Sequence, residues 1–491
     1  MQKYEERYSH AFGKNDIRGI YGDDITEILF QNTAIGFVNW LESQSGVKPS
    51  NMKITVAMDA RLHSPALKEA LINGLTSCGV SVVDLGLVPS PIGYYSEFAL
   101  DNVISAMVIT ASHNPSEYNG LKMSFNKVTL DEKQIAEVKE ETFRIFSEDV
   151  VVGNKSLVRQ YDIVPDYIND MKERFGIVGQ GVKVVTDCAN ATGGVVAPQL
   201  YKELGCEVVE LYTEPDGRFP NHHPNPSVEA TLSDLKAKVV EVGADIGIAF
   251  DGDSDRIGVV THDGKALTGD KLLLIYAQDM IKKLKEKDAL VVPCVVSEVK
   301  CSQVLFDTID KIGGKSIMCK TGHGYIKTEM KKSGALLAGE MSGHTFFKDS
   351  YYGYDDAVYA GCRIIQIISE QKKLNPEFKI QSCLKPFEEV FTSDEVRYPC
   401  PNNLKKTVLA EFKEMVANNP NLFGDEIKNI VTLDGMRVVF DGGFALIRQS
   451  NTEPVFTLRF EGKTLELCEQ YKASMISALD GCLERQKALQ A

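Results

Sequence analysis

At 491 residues the chain is too long for one hydrophobic core, which sets an expectation of three or four domains. Charged residues make up 25% and hydrophobic ones 43%, the balance of a globular protein, and no apolar run approaches the ~18 residues a membrane span needs. The net charge of −14 argues against nucleic acid or an anionic membrane as partner, so an anionic ligand would need a local cluster of Arg and Lys.

The N-terminal stretch MQKYEERYSHAFGKNDIRG lacks the apolar segment of a signal peptide, and a cytoplasmic location is expected. The 11 cysteines fit that compartment as reduced, mostly buried thiols: the closest pair, Cys294 and Cys301, does not form a CxxC motif. NDIRGIYG (15–22) places Arg18 in a glycine-bounded loop. Then a strand–helix–strand pattern begins: KITVAMD (53–59), SPALKEALINGLTSCG (64–79) and VSVVDLG (80–86). Ser64 is a plausible N-cap, Pro65 suits the first helical position, and Leu67, Leu71 and Leu75 form one apolar stripe. The pattern returns as VKVVTD (182–187), ATGGVVAPQLYKELG (191–205) and CEVVELY (206–212). It returns again as ALVVPCVV (289–296), a helix over about 299–312 and GKSIMC (314–319). Such units predict parallel strand pairing under a cover of helices, hence three related α/β domains. The C-terminal part differs. RVVFDGGFALIRQ (437–449) turns at Asp441-Gly442 as a hairpin, VFTLRFEG (455–462) alternates as a strand, and a helix follows over 465–486. This predicts a smaller, mostly antiparallel α+β domain. The expected domains are 1–163, 164–265, 266–385 and 386–491.

Four segments carry residues suited to chemistry. In VITASHNPSEYNGLK (108–122) an apolar strand stops at Ser112, His113, Asn114 and Pro115. In an extended segment neighbours point to opposite faces, so His113 is not expected to deprotonate Ser112. No G-x-S-x-G elbow exists either, so a serine hydrolase is disfavoured. DGDSDR (251–256) follows the apolar run ADIGIAF. Its three carboxylates would repel one another without a cation, and Mg²⁺ is the default for such a set beside phosphate. An EF-hand is excluded because Arg256 and His262 stand where Gly and Glu are required. Beside such a metal, Ser112 makes sense as a phosphoryl carrier. TGHGYIK (321–327) and GEMSGH (339–344) are glycine-flanked loops. The second offers Glu340, Ser342 and His344, an acceptor, a hydroxyl and a titratable group fit for sugar hydroxyls and a proton. RQSNTEP (448–454) joins a guanidinium to hydroxyls and turn amides, which suits a phosphate dianion as well as a plain polar turn.

Taken together and in order over nearly the whole chain, these segments resemble the α-D-phosphohexomutase superfamily, most closely its phosphomannomutase/phosphoglucomutase branch. The resemblance implies three α/β domains with mixed sheets and a C-terminal α+β domain of the TATA-box-binding-protein-like type around a central cleft. It implies that Ser112 is the phosphoserine and, with Asp251, Asp253 and Asp255, a ligand of one Mg²⁺ per chain, with Arg256 beside it. Glu340 and Ser342 would grip sugar hydroxyls, and Arg448, Ser450, Asn451 and Thr452 would hold a phosphate. Arg18, Lys122, His323 and Lys300 match further positions near the substrate. Arg18, Lys122, Arg256, Lys300 and Arg448 would then supply the cationic cluster that the acidic composition demands. Asn15 departs from the family, which often has an aromatic there; Tyr351 or Tyr352 are candidate replacements.

The expected activity is reversible interconversion of hexose 1- and 6-phosphates, mannose, glucose or both, through phosphoserine and a 1,6-bisphosphate that also serves as activator. Lys122 and His344 are the expected proton carriers. Rival readings are a sister mutase for glucosamine or pentose phosphates, a silent sugar-phosphate-binding protein and a metal-dependent phosphatase. Met341 points away from the glucosamine branch, whose loop usually has Gln at that position. Small sugar phosphates are the expected partners, with no nucleic acid or membrane, and the protein is expected to be a monomer or homodimer.

Overall fold

The repeating strand–helix–strand pattern produces sheets with parallel centres, as residues 2–450 and 453–490 of the structure, a computed structural model, describe. The chain forms two compact units. The first runs to Thr268 and takes back Ser342–Phe346 and Tyr354–Lys379; the second comprises Gly269–Met341, Phe347–Gly353 and the chain from Ile380 onward.

The first sheet of unit one is built on Lys53–Met58, which pairs in parallel with Ser81–Leu87 and with Ser105–Ile109. Tyr118–Phe125 then pairs antiparallel with Ser105–Ile109 and with Ile17–Ile20, so the sheet is mixed. Arg18 therefore lies on a strand, opposite Gly120, where the sequence suggests a loop. The four-residue strand is too short to show a hydrophobic period, and its flanking glycines mask it. The helix Ser64–Ser77 buries Leu67, Leu71 and Leu75 as its stripe requires. Ser64 is not its N-cap: His63 holds that position, and the Ser64 hydroxyl donates to Asp59 Oδ1 at 2.7 Å.

The second sheet of this unit places Lys183–Asp187 between the parallel strands Glu207–Leu211 and Ile246–Phe250, with Ile257–Thr261 antiparallel at the other side. ATGGVVAPQLYKELG does not fold as one helix. Thr192–Val195 is a 3-10 turn and Ala197–Glu203 the α-helix, because Pro198 fits only a first turn. The helix Ala357–Leu374 packs here although it follows the third repeat in sequence. Gly361 explains how closely it lies, since a Cβ there would meet the Tyr201 hydroxyl at 1.8 Å. The ring of Tyr359 contacts Phe175, and Lys372 reaches Asp245 at 2.8 Å.

In unit two, Cys294–Glu298 is flanked in parallel by Lys315–Cys319 and Leu337–Gly339. The strand begins and ends later than the apolar run suggests, and the helix is shorter, Gln303–Lys311, because Ser302 caps it. The C-terminal sheet is antiparallel, in the order Phe391–Thr392, Val455–Gly462, Gly443–Gln449, Met436–Phe440, Ile427–Val431, and the hairpin turns at Asp441-Gly442 as expected. The helices Lys405–Asn418 and Leu465–Gln490 close its core around Phe412, Phe440, Phe460 and Tyr471. No helix of the described residues is long and apolar enough to cross a membrane. All 11 cysteines are unpaired, nine of them buried.

Candidate active site

Because Met58 and Ile109 are register partners on parallel strands, the loops that follow them emerge side by side. The first loop brings Arg61, the second Ser112. Arg61 is buried, pairs with Asp59 at 3.0 Å and donates to the carbonyls of Ser112, Asn114, Pro115 and Tyr118 at 2.5–3.0 Å. One guanidinium thus gathers the serine loop from within. Thr110 Oγ1 accepts from the Ser112 amide at 2.8 Å, and Ser112 sits at φ +50°, in the left-handed region. That conformation overturns the expectation for His113. The segment is not extended, so the two side chains do not diverge, and His113 Nδ1 lies 3.2 Å from Ser112 Oγ. Burial and the nearby Arg256 and Arg18 hold the His113 imidazole far below its ordinary range, which keeps it neutral.

DGDSDR meets this loop in backbone contact. A Cβ at Gly252 would lie 2.2 Å from the Ser112 carbonyl oxygen, so only glycine permits the approach. Ser112 Oγ donates to Asp251 Oδ2 at 2.7 Å. Lys122 Nζ lies 2.6 Å from Asp253 and 2.6 Å from Asp255, and the Ser90 hydroxyl donates to Asp253 at 2.5 Å. Asp251, Asp253 and Asp255 are all buried and each brings one oxygen within 4.8 Å of the others. Asp253 Oδ1 has no hydrogen-bond partner in its buried position. Burial first, and then Asp255 and Asp253, push the Asp251 carboxyl well above the usual range. A hard divalent cation fits this set: it would take the unpartnered oxygen and relieve the repulsion. Burial opposes the Lys122 charge, but Asp253 and Asp255 more than offset it and hold the ammonium well above its ordinary range. Lys122 can give up a proton only where those carboxylates are otherwise neutralised.

A chain of side chains leads away from the serine. Arg256 Nη1 is 3.4 Å from His113 Nε2, and Arg256 Nε donates to His344 Nε2 at 3.0 Å. On its other side His344 Nδ1 faces Asp355 Oδ2 at 3.2 Å and Asp255 Oδ1 at 3.7 Å. Nε2 is therefore an acceptor, and Nδ1 is turned toward the two carboxylates. Arg18 donates to Asn114 Oδ1 at 2.9 Å and pairs with Asp16. Ser112, Lys122, Arg18, Arg256 and His344 are thus brought together in unit one.

Unit two gathers a second set. Glu340 Oε1 accepts from the Gly322 amide at 2.7 Å, tying the loop that holds Glu340 to the start of the helix His323–Ser333, where the sequence suggests a loop. Arg448 Nε donates to Asp434 Oδ2 at 3.0 Å, and the same oxygen accepts from the Thr321 amide at 3.3 Å. Lys300 lies 3.5 Å from Glu395 and 3.7 Å from Glu298, and Glu298 Oε1 accepts from the Met341 amide at 2.9 Å. Ser450 Oγ accepts from the Glu453 amide at 3.2 Å; Asn451 and Thr452 lie outside the described residues. The rings of Tyr351 and Tyr352 contact each other in this unit, tilted by 53° with centroids 4.9 Å apart. Ser342 belongs with unit one.

Sequence reasoning passed over Arg61, Ser90, Asp355 and Asp434. Arg61 had a signal, since it follows a strand parallel to the serine's own strand. The others come from distant segments and had none.

Repeated α/β sheets, a strand-end serine on a buried carboxylate triad and a second set of charged side chains in unit two, Lys300 and Arg448 among them, define a multidomain phosphotransfer scaffold. Sequence models of the phosphoglucomutase/phosphomannomutase domains match throughout: α/β/α domain I at 9–149, domain II at 165–264, domain III at 268–382 and the C-terminal domain at 395–478. A phosphomannomutase/phosphoglucomutase of Pseudomonas aeruginosa is 39% identical over 477 residues, covering 96% of each chain. A phosphoglucomutase of Neisseria gonorrhoeae is 37% identical, covering 94% of each. A crystal structure of a phosphoglucomutase/phosphomannomutase family protein from Burkholderia thailandensis superposes with a TM-score of 0.84 at 34% identity, covering 97% of this chain and 98% of that one. The chain belongs to the phosphoglucomutase/phosphomannomutase family of the α-D-phosphohexomutases.

Proposed function

We propose that this chain is a hexose phosphate mutase, which reversibly interconverts the 1- and 6-phosphates of mannose and glucose. The observation that carries the reading is the 2.7 Å contact of Ser112 Oγ with Asp251 inside the buried carboxylate set. Phosphorylated at Oγ, Ser112 donates its phosphoryl group to the free hydroxyl of the bound sugar phosphate. The P–Oγ bond breaks, a P–O bond to the sugar forms, and the hydroxyl proton passes to a base. The resulting 1,6-bisphosphate turns round, and its other phosphoryl returns to Ser112. One Mg²⁺ per chain, held by Asp251, Asp253, Asp255 and the serine's phosphoryl oxygen, would draw charge from the transferring group.

The same reading assigns the remaining roles. Lys122 and His344 serve as proton carriers, Lys122 against Asp253 and Asp255 and His344 beside Arg256. Arg18 and Arg256 balance phosphate charge beside Ser112. Glu340 and Ser342 hold the sugar's 3- and 4-hydroxyls, which mannose and glucose share. His323, Lys300, Arg448, Ser450, Asn451 and Thr452 bind substrate, the last four at the phosphate that is not reacting. A hexose 1,6-bisphosphate primes an unphosphorylated chain. A cytoplasmic monomer or homodimer acting on sugar phosphates, without nucleic acid, completes the reading.

The test has two parts. Mass spectrometry after incubation with glucose 1,6-bisphosphate should find one added phosphoryl, on the peptide bearing Ser112. A coupled assay should turn over mannose and glucose 1-phosphates within about a thousandfold of each other, ~4 kcal/mol. Faster turnover of glucosamine 1-phosphate or ribose 1-phosphate would assign the chain to a sister mutase, and net phosphate release would make it a phosphatase.

A further inference from the structure

Arg437 is a fully buried guanidinium on the C-terminal sheet, in the strand Met436–Phe440 that leads into the Asp441-Gly442 hairpin. Its Nη1 donates to the carbonyl of Val299 at 2.6 Å and to that of Cys301 at 2.7 Å. Those two carbonyls bracket Lys300. Nη2 donates to Gln303 Oε1 at 3.1 Å, and the guanidinium carbon lies 3.6 Å from the centre of the Phe444 ring. The same sheet supports the loop at a second point, where Glu461 Oε1 accepts from the Gln303 amide at 3.1 Å.

The arrangement is costly. Burial, with a smaller contribution from the charge of Arg459, brings the Arg437 guanidinium down to about 10 against the opposing pull of Glu461, and its Nε has no hydrogen-bond partner. A buried charge is weak evidence for stability, since an apolar replacement of similar volume would often serve as well. What an apolar side chain cannot do is tie the carbonyls on either side of Lys300, through Nη1, and the Gln303 amide oxygen, through Nη2, to one planar fork. That capacity matters where a loop must hold one side chain in place. Glu298 and Glu395 reach the ammonium of Lys300 only at 3.7 and 3.5 Å, too long to fix its direction, which therefore depends on how its own backbone is set.

The geometry points to Arg437 as a positioning residue that fixes the main chain of Lys300, so that the C-terminal domain sets the aim of a substrate-binding lysine on the neighbouring domain. This rests on the substrate-binding role proposed for Lys300. Arg437 touches no reacting atom; it acts by holding the Val299–Gln303 loop.

The experiment compares Arg437→Lys, Lys300→Met and the double variant in the full-length enzyme. For each, KM and kcat are measured with glucose 1-phosphate. Hydrogen exchange of the 299–303 peptide and the thermal midpoint accompany them. Arg437→Lys keeps the charge and removes the fork. It is expected to raise KM about tenfold with kcat within about threefold, and to speed exchange in 299–303 with little change elsewhere. In the Lys300→Met background the same change should add nothing to KM. Multiplying KM effects, or unchanged exchange in 299–303, overturn the positioning role. An unchanged KM in Lys300→Met alone overturns the Lys300 assignment and, with it, the functional consequence claimed for Arg437. Should Arg437→Lys fail to fold, Gln303→Ala loosens the same loop from its other end and must show the same coupling to Lys300, or the proposal falls.

Discussion

Lys122 Nζ stands 2.6 Å from Asp253 and 2.6 Å from Asp255, so one ammonium occupies the ground where a divalent cation would compete for the same carboxylates. Asp253→Asn removes one charge from that set while keeping its shape. Activity should fall roughly tenfold or more, ~1.4 kcal/mol, and part should return at raised Mg²⁺. The measurement is initial rate against Mg²⁺ concentration. Full activity in excess chelator would show that the carboxylates serve Lys122 alone.

Arg61 is a second point of tension. Its removal strands Asp59 and four loop carbonyls in a buried site. Arg61→Met should therefore cost ~3–5 kcal/mol, seen as a lower urea midpoint. Arg61→Lys should recover only part, and phosphorylation of Ser112 by bisphosphate should slow in both. A variant with wild-type stability would mean that the loop is held by other contacts.

For Arg448, whose Nε is committed to Asp434, the remaining guanidinium nitrogens are available to an anion. Arg448→Ala should cost ~1.5–3 kcal/mol, about ten- to a hundredfold in kcat/KM, mainly through KM. Arg448→Lys should restore part of it. No change in KM for either would remove this residue from the substrate site.

His222 gives a pH-dependent expectation. Burial disfavours its charge, but Asp187, at 3.1 Å from Nε2, more than offsets this and raises the imidazole above its ordinary value. A raised folded value means that the stabilisation is complete below the unfolded pKa of about 6.5 and is lost as pH rises through the folded value. The thermal midpoint of the wild type should therefore decline above pH ~6.5 relative to that of His222→Gln. Parallel curves would show that the pair contributes no linked stability.

How far the sequence reveals this molecule depends on range. Period-two alternation placed Val455–Gly462, and Asp441-Gly442 placed the hairpin, because both signals lie within a few residues. Ser112 and the three aspartates were visible for the same reason: each motif is short and chemically unusual. His113 was misjudged because the left-handed φ of Ser112 arises where two loops meet, and no local pattern records it. Arg18 was misjudged because a four-residue strand leaves no period. Asp355 and Asp434 find His344 and Arg448 only through tertiary packing.

The buried cysteines have a practical corollary. Four thiols lie in the first unit and seven in the second, and nine of the 11 are inaccessible in the folded chain. Burial raises the thiols of Cys188, Cys301 and Cys362 well above the ordinary range, so each is inert until water reaches it. An alkylating reagent would consequently act as a clock on this protein. The rate at which each sulfur is labelled would time the opening of its own surroundings, and the two units could be timed independently within one molecule.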